Sequence, residues 1–253
     1  MPTAGVEFAK VSYSPEGGHL VLRDISLALA AGTTTALLGR SGSGKTTLLR
    51  MVNGLVQPTA GEVRVEGHVV TSMRAPKDLV RLRRDIGYVI QETGLFPHMT
   101  IERNTALALE LAEKPHSERE SRARELIGWV GLDFDGLRNR FPWQLSGGQK
   151  QRVGLARALA LDPSVLLMDE PFGALDPLTR SEMQTMLKKL LQRLSKTVLL
   201  VTHDLEEALY LADRVLILAE GQVVADLPSA EVSRSANPHV RDYLSVVRHK
   251  SER

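Results

Sequence analysis

The sequence contains no cysteine, which excludes disulfides and thiolate metal sites. It also contains no long apolar run: stretches such as VLLM and TVLLV fall far short of the roughly 20 residues that span a bilayer. The N-terminal MPTAGVEFAK carries an acidic residue and lacks the apolar core of a secretion signal. We therefore expect a soluble, cytoplasmic chain that meets a membrane only through partner proteins.

An excess of charge of either sign is missing as well. The 32 basic and 30 acidic residues leave a formal net charge of +2, which gives no reason to expect nucleic-acid binding. The 253 residues suit one large domain or two small ones with a sizeable core. A hydrophobic fraction of 43% and a charged fraction of 25% are ordinary for a globular protein, so composition leaves the function open.

Apolar strand patterns alternate with helical patterns in both outer thirds of the chain. GVEFAKVS, TTTALLG and IGYVI are typical strands of the first third, and VLLMDE, TVLLVTHD and RVLILAEG of the last. Buried strands between amphipathic helices predict a largely parallel sheet, and the early alternating strands predict a smaller antiparallel one. From Thr100 to about Ala160 the pattern is helical and charged, which indicates a helical segment inserted into an α/β domain.

Helix starts can be proposed inside this segment. Thr100 with Arg103 predicts a partial N-cap, and Ser117 with Glu120 fits a capping box.

Residues 39–46 read GRSGSGKT and match G-x-x-x-x-G-K-[ST] at every fixed position, after a strand and at the start of a helix. The glycines let backbone N–H groups turn toward phosphate oxygens, and the helix N-terminus adds its dipole. We expect Lys45 to reach the β- and γ-phosphates of ATP and the Thr46 hydroxyl to bind Mg²⁺. A glycine-rich turn with a chance lysine is the alternative. The predicted phosphate-binding residues are Gly39, Arg40, Ser41, Gly42, Ser43, Gly44, Lys45, Thr46 and Thr47.

Two acidic residues end the apolar stretch VLLMDEP. A buried strand that carries a carboxylate to its C-terminal end is where open α/β sheets place their chemistry. Because adjacent strand residues face opposite sides, we expect the acids to differ in role. Asp169 suits the magnesium shell, and Glu170 suits orienting or deprotonating the attacking water. An ordinary acidic strand-to-loop junction is the alternative, which the complete phosphate loop disfavours.

Two further polar residues follow predicted strands. His203 ends TVLLVTHD, a strand expected beside the phosphate loop, so we favour a γ-phosphate contact over the more common structural histidine. Gln91 follows IGYVI where the helical segment begins, and that position favours a switch, although a loop glutamine alone says little.

A second glycine-rich turn, QLSGGQKQR, occupies residues 144–152. It lacks a lysine after its glycine pair, unlike Gly44-Lys45, so it does not predict a second complete nucleotide site. Ser146, Gly147 and Gly148 lead into a helix and can bind a phosphate. The turn is therefore interpreted as half of a site.

Taken together, these motifs resemble the ATP-binding cassette (ABC) ATPase subunits over nearly the whole chain. In order they are the phosphate loop at 39–46, Gln91 as the Q-loop, LSGGQ at 145–149 as the signature, VLLMDE at 165–170 as Walker B, ALD at 174–176 as the D-loop and His203 as the switch histidine. The resemblance implies an α/β P-loop NTPase (RecA-like) core with an inserted helical subdomain and a small antiparallel β subdomain. The implied boundaries are 1–91 and 162–226 for the core and β subdomain, 92–161 for the helical subdomain and 227–253 for a short helical tail.

The resemblance also implies that two copies pair head to tail. The signature residues of one copy, Ser146 to Gln149, would close over the nucleotide held by the phosphate loop of the other, and hydrolysis would release the two-fold interface. It further implies that Gln91 joins Thr46 and Asp169 as a metal ligand, and that Gln91, Glu170 and His203 act in catalysis.

Adenine usually stacks on an aromatic residue after the first strand in this family. The usual slot falls near Pro15, two residues after Tyr13. Tyr13 is either that aromatic residue or simply part of a strand.

The segment GYVIQETGLFPHMTI looks most like the corresponding segment of importers of osmoprotectant quaternary amines such as glycine betaine, choline or carnitine. Importers of other small solutes are the alternative. In such systems integral-membrane permease subunits and an external solute-binding protein choose the solute, so this assignment rests on similarity alone. The resemblance implies a peripheral subunit at the cytoplasmic face of the inner membrane. Leu95, Phe96 and Met99 predict a permease contact or, alternatively, core packing of the helical subdomain. The long regulatory extension of some relatives is expected to be absent after Arg253.

Two other classes match only parts of the sequence. Non-transport ABC ATPases that act on DNA or ribosomes usually carry two cassettes or long coiled-coil insertions, whereas this sequence has one cassette and no heptad run. A P-loop small-molecule kinase would have no use for LSGGQ. We therefore expect a transport ATPase subunit.

Overall fold

The computed structural model describes residues 4–16, 18–73, 75–91 and 93–251. The described β-strands are β1 (Ala4–Tyr13), β2 (Leu22–Ala30), β3 (Thr34–Leu38), β4 (Ala60–Val65), β5 (His68–Val69), β6 (Ile86–Val89), β7 (Val165–Asp169), β8 (Thr197–Thr202), β9 (Arg214–Ala219) and β10 (Gln222–Pro228). The described α-helices are α1 (Lys45–Val52), α2 (Pro76–Arg84), α3 (Ile101–Leu111), α4 (His116–Trp129), α5 (Phe134–Leu137), α6 (Gly147–Ala158), α7 (Pro177–Leu194), α8 (Leu205–Leu211) and α9 (Pro238–Ser251). Unit 1 is formed by the described residues of Met1–Arg83 and Lys196–Arg253, and unit 2 by those of Arg84–Ser195.

Unit 1 contains the antiparallel sheet expected from the early alternating strands, in the order β2-β1-β4-β5. In β1, Phe8 lies opposite Leu27 of β2 and Val63 of β4. Val6 and Phe8 are buried on one face, in agreement with the alternation of apolar residues in GVEFAKVS.

Unit 1 also contains a mainly parallel sheet in which β3 pairs with β8 on one side and with β9 on the other, while β10 pairs antiparallel with β9. Every residue of β3 and β8 is buried, which explains why neither strand alternates apolar residues with charged ones. Leu38 lies opposite Thr202 of β8 and Ile217 of β9. The phosphate loop and His203 therefore leave the sheet at the same edge.

Unit 2 contains the parallel pair β6 and β7, with Val89 opposite Met168, and the helices α3 to α7. Its core includes Ile101 of α3, Leu126 of α4 and Val153 of α6, all fully buried. The helical segment expected between the two strand-rich parts is thus present.

Two features differ from the sequence expectations or were missed by them. The capping box at Ser117 and Glu120 is wrong: α4 already begins at His116, with Pro115 as an N-cap that makes no side-chain cap hydrogen bond. The restricted φ of proline suits the start of a helix, and it moves Ser117 into the first turn. The helix α2 was missed because it is strongly charged and buries only Leu82.

The cap at Thr100 is confirmed, since its Oγ1 accepts a hydrogen bond from the Arg103 N–H at 3.3 Å. Across the described ranges, no helix is both long enough and apolar enough to cross a bilayer.

Candidate functional site

The phosphate loop joins β3 to α1 through a backbone turn that requires glycine. Gly44, the N-cap of α1, has φ +100°, and a Cβ there would lie 2.7 Å from Leu22 Cδ2. The helix has no side-chain cap hydrogen bond at this end. The first backbone N–H groups of α1 are therefore in the arrangement that binds anions at helix N-termini.

Two side chains of the loop fit a phosphate ligand. Lys45 is only 6% exposed, and its Nζ donates hydrogen bonds to the carbonyl oxygens of Gly39 at 2.8 Å and Arg40 at 3.0 Å. The Ser43 Oγ is buried and has no hydrogen-bond partner among the described residues. Phosphate oxygens would satisfy this hydroxyl and offer the ammonium group a better partner than carbonyls.

Gly42 faces open space: its φ is +78°, and nothing lies within 4 Å of a Cβ built on it. Gly67, in the turn between β4 and β5, has the same φ and the same open surroundings. The two glycines form a matched pair that separates backbone strain from ligand binding.

Replacing Gly42 with alanine should weaken ATP binding by about tenfold or more, because the methyl group enters the space where phosphate binds. Gly67→Ala is the control, since both substitutions place a side chain at positive φ at a cost of about 1–2 kcal/mol. Thermal unfolding should show similar destabilisation of both variants, while titration with a fluorescent ATP analogue should show an affinity loss for Gly42→Ala alone. Equal affinities would contradict a phosphate site at this loop.

A cavity of about 710 Å³ lies beside the loop in unit 1. It is bounded by the phosphate loop from Arg40 to Ser43, the segment before β2, the turn after β9, and α9 with Asp242 and Tyr243. Burial raises the pKa of the Tyr243 hydroxyl, and the nearby Arg40 guanidinium opposes that rise. Tyr13 does not line this cavity; it ends β1, where its carbonyl oxygen accepts the Val21 N–H at 2.8 Å. Its role toward adenine stays a prediction.

His203 is held between a strand end and a capped helix. Asp204, the N-cap of α8, accepts the Glu206 N–H at 2.9 Å, and its own N–H donates to the Thr202 Oγ1 at 3.1 Å. The His203 side chain is exposed at the sheet edge from which the phosphate loop leaves. Asp204 was not singled out from the sequence, although an aspartate directly before an apolar helix is a common N-cap.

In unit 2 the two acidic residues differ in backbone conformation. Asp169 is the last residue of β7, is only 5% exposed, and accepts the Tyr88 hydroxyl at 3.5 Å. Glu170 lies beyond the strand in the left-handed region, with φ 45°. The two acids therefore differ in burial and backbone conformation because of this turn and not because of strand alternation, and their difference in role stays a prediction. A residue other than glycine in this region carries strain of about 1–2 kcal/mol.

Gln91 lies near these acids along the strand ends. It follows β6, whose Val89 pairs with Met168 of β7, so Gln91 and Asp169 leave the parallel pair at the same edge. The Gln91 side chain is exposed.

The signature turn forms a reciprocal cap at the start of α6. The Ser146 Oγ accepts the Gln149 N–H at 3.3 Å, and the Gln149 Oε1 accepts the Ser146 N–H at 3.0 Å. Because the Ser146 Oγ acts as an acceptor, its own proton remains available to a phosphate oxygen. Ser146 and Gly147 are exposed, so the N-terminus of α6 can bind an anion from outside this chain.

Packing within the chain explains one of the two glycines of the signature and leaves the other unexplained. A Cβ on Gly148 would lie 2.6 Å from Thr179 Cγ2 of α7, so packing within the chain favours glycine there. A Cβ on Gly147 would meet nothing nearer than Leu175 Cδ2 at 3.8 Å, an ordinary contact. The fold of this chain therefore does not require glycine at 147, which points to a requirement from a ligand.

The loop after Gln91 is fixed by a buried residue that sequence reasoning missed. Asn104 of α3 is fully buried; its side chain accepts the Phe96 N–H at 2.8 Å and donates to the carbonyl oxygens of Phe96 and Met99, both at 3.0 Å. Phe96 is 40% exposed, whereas Leu95 and Met99 are half-buried. A polar residue on the apolar side of a predicted helix was the available clue.

The chain is similar to known proteins in sequence and in fold. The family model described as ABC transporter matches residues 22–173. The glycine betaine/carnitine/choline transport ATP-binding protein OpuCA of Bacillus subtilis is 44% identical over 240 residues, which cover 94% of this chain and 62% of that protein. The taurine import ATP-binding protein TauB of Pseudomonas putida is 47% identical over 225 residues, or 88% of this chain and 82% of that protein.

Among solved structures, the chain is similar to the ATP-binding cassette MJ0796, described as a dimer in a post-hydrolysis state bound to ADP and Pi. The TM-score is 0.80 at 35% identity, over 88% of this chain and 98% of that one. This similarity confirms the predicted α/β P-loop NTPase fold with an antiparallel β subdomain. The chain spans about three-fifths of the length of the first curated relatives that it matches, at 62%, 60% and 59%.

Proposed function

Because the chain belongs to the ABC transporter family, we propose that it is the ATP-hydrolysing subunit of an importer for a small solute. One observation supports the proposal most strongly. The same chain holds a complete phosphate loop and, elsewhere, an exposed helix N-terminus at Ser146 and Gly147, and contacts within the chain do not explain the glycine at 147. We infer that the loop binds nucleotide within the chain, and that the second feature acts on nucleotide bound to another copy.

The residues divide the chemistry among them. Backbone N–H groups from Gly42 to Thr46 and the Lys45 ammonium bind the phosphates of ATP. Glu170 orients the attacking water and accepts its proton, and His203 contacts the γ-phosphate. Thr46, Gln91 and Asp169 are the oxygen donors that would hold Mg²⁺, which neutralises phosphate charge when bound.

ATP then holds two copies together. In a head-to-tail pair, Ser146 donates its hydroxyl proton and the start of α6 donates its backbone N–H groups to the γ-phosphate of the partner's nucleotide. Hydrolysis separates the γ-phosphate and removes the group that both copies bind, so the pair opens. The dimeric MJ0796 structure with ADP and Pi supports this arrangement.

The opening and closing of the pair would drive permease subunits, which place the chain at the cytoplasmic face of the inner membrane. The exposed Phe96, on the loop that Asn104 holds, is the apolar side chain of this segment best presented to such a partner. An external solute-binding protein would deliver the solute to the permease.

We propose an osmoprotectant quaternary amine, glycine betaine or choline, as the solute. The similarity to OpuCA supports it. A different small solute is the second candidate, because the taurine import protein TauB is 47% identical. The chain supplies energy and no solute site, so its own residues do not decide between the two.

Uptake by cells of the native host tests the solute. Deleting the gene should abolish uptake of labelled glycine betaine or choline and leave taurine uptake intact, and the native gene should restore the loss while a Glu170→Gln gene should not. Loss of taurine uptake alone would favour the second candidate, and restoration by Glu170→Gln would show that hydrolysis is not needed.

A further inference from the structure

A partly buried arginine at the end of α6 binds the backbone of the loop that follows Gln91. The Arg157 Nη1 donates to the Gly94 carbonyl oxygen at 2.7 Å, and its Nη2 donates to the Thr93 carbonyl oxygen at 2.9 Å. Burial lowers the pKa of the Arg157 guanidinium. Removing part of a cation from water has a cost, and the two hydrogen bonds to the loop backbone offset it. An apolar residue at this position would avoid the cost but would not hold the loop.

One turn earlier, α6 touches the same loop without an intervening side chain. A Cβ built on Gly154 would lie 3.5 Å from the Thr93 carbonyl oxygen and 3.8 Å from the Thr93 Cβ. From the other side, Asn104 fixes the loop at Phe96 and Met99. The segment after Gln91 is therefore joined to α6 by contact as well as by hydrogen bonds.

The opposite end of α6 is the signature. The helix has 12 residues and spans about 18 Å at about 1.5 Å per residue, with Ser146 capping its start and Arg157 in its last turn. A helix of this length moves as a rigid rod, so a displacement of the loop at Thr93 and Gly94 displaces the signature serine as well.

We propose that Arg157 is a positioning residue that couples the loop after Gln91 to the signature serine, so that the Q-loop and the signature move as one body. The inference rests on the proposed function, in which Ser146 acts on the partner's nucleotide. Arg157 touches no nucleotide itself, and its effect should therefore fall on turnover and not on the binding of ATP by the monomer.

Arg157→Gln should lower kcat for ATP hydrolysis by about 10- to 100-fold, because a misplacement of about 1 Å costs that much in a preorganised site. The dissociation constant of the monomer for an ATP analogue and the KM should change less than about twofold. Arg157→Lys keeps the charge but not the two-pronged geometry, so its kcat should lie between those of the native chain and Arg157→Gln. Arg103→Gln, on the exposed face of α3, is the control and should keep the native kcat.

A disulfide can replace the missing connection. The chain has no cysteine, and the 3.8 Å between the Thr93 Cβ and the Cβ position of Gly154 equals the usual Cβ–Cβ distance of a disulfide, about 3.8 Å. Thr93→Cys with Gly154→Cys should therefore cross-link on oxidation, as mass spectrometry can show. In the Arg157→Gln background, oxidation should restore at least about a third of the native kcat, and reduction should abolish the gain.

Several results would overturn the coupling role: a native kcat for Arg157→Gln, a loss of kcat that the disulfide does not restore, or failure of the two cysteines to cross-link. If Arg157→Gln does not fold, the Thr93→Cys and Gly154→Cys cross-link is tested in the otherwise native chain. The proposal predicts that the oxidised chain hydrolyses ATP at the full rate, and a block of hydrolysis refutes it. An active native chain with an equally active Arg157→Gln refutes the coupling alone. A native chain that does not hydrolyse ATP refutes the proposed function and, with it, the coupling role.

Discussion

Replacing Lys45 with alanine should abolish measurable ATP hydrolysis and weaken ATP binding by at least about 100-fold. The ammonium group of Lys45 is buried and held by the carbonyl oxygens of Gly39 and Arg40, so it stands ready inside the loop before nucleotide arrives. Phosphate oxygens form shorter and stronger charge-assisted bonds with it than those carbonyls do. No other described side chain of the loop carries a positive charge inward, since Arg40 is exposed.

Two measurements separate this result from a loss of fold. Titration with a fluorescent ATP analogue gives the affinity. Thermal unfolding without nucleotide gives the stability, which should fall by about 1–3 kcal/mol because the buried Gly39 carbonyl loses its Lys45 donor. Lys77→Ala, an exposed lysine of α2 in the same unit, is the control and should bind ATP as the native chain does. Retained ATP binding in a folded Lys45→Ala chain would refute the assigned phosphate site.

Replacing Glu170 with glutamine should lower hydrolysis by about 100-fold or more while leaving ATP binding intact. The amide has the size of the carboxylate but cannot accept the proton of the attacking water. ATP should therefore persist between two copies, and gel filtration with ATP should show a dimer that the native chain forms only briefly. A Glu170→Gln chain that stays monomeric with ATP would contradict the shared site.

The backbone at Glu170 adds a second test of the same residue. Because its φ is 45°, Glu170→Gly should stabilise the fold by about 1 kcal/mol while also abolishing hydrolysis. A variant that is more stable but inactive would show that the glutamate is kept for chemistry. If Glu170→Gly is less stable than the native chain, the strain argument fails.

Much of this site could be predicted because its motifs depend on local order along the chain. The phosphate loop needs a strand before Gly39 and a helix after Gly44, and both could be recognised from apolar periodicity and glycine spacing. His203 could be placed beside that loop for the same reason, since parallel buried strands end at one edge. These inferences use only neighbours in sequence and the general geometry of parallel sheets.

What the sequence could not give depends on contacts between distant segments. The motif LSGGQ does not reveal that packing against Thr179 favours glycine at 148 and that no such contact favours glycine at 147. The helix α7, which carries Thr179, begins some thirty residues later. Arg157 is one of many arginines in a charged stretch, and only the folded structure shows that it binds the Thr93 and Gly94 carbonyls. The left-handed turn at Glu170 is equally invisible, since the residue is not a glycine.

If the signature acts on nucleotide held by another copy, two variants that are inactive for different reasons should restore hydrolysis to each other when they are mixed. In the first variant, Lys45→Ala disables the phosphate loop by removing its ammonium group. Gly147→Asp keeps it and places a carboxylate at the start of α6, which suits the helix dipole but repels a γ-phosphate. Thermal unfolding should show that Gly147→Asp folds normally, since a side chain at 147 meets nothing closer than 3.8 Å.

Each variant alone should be inactive. In an equimolar mixture half of the pairs contain one copy of each, and each mixed pair has one intact site made of the Gly147→Asp phosphate loop and the Lys45→Ala signature. Hydrolysis should therefore return on mixing, to roughly a quarter of the native rate if the two sites of a symmetric pair are independent. Two variants that remain inactive together, although they form mixed pairs, would contradict it.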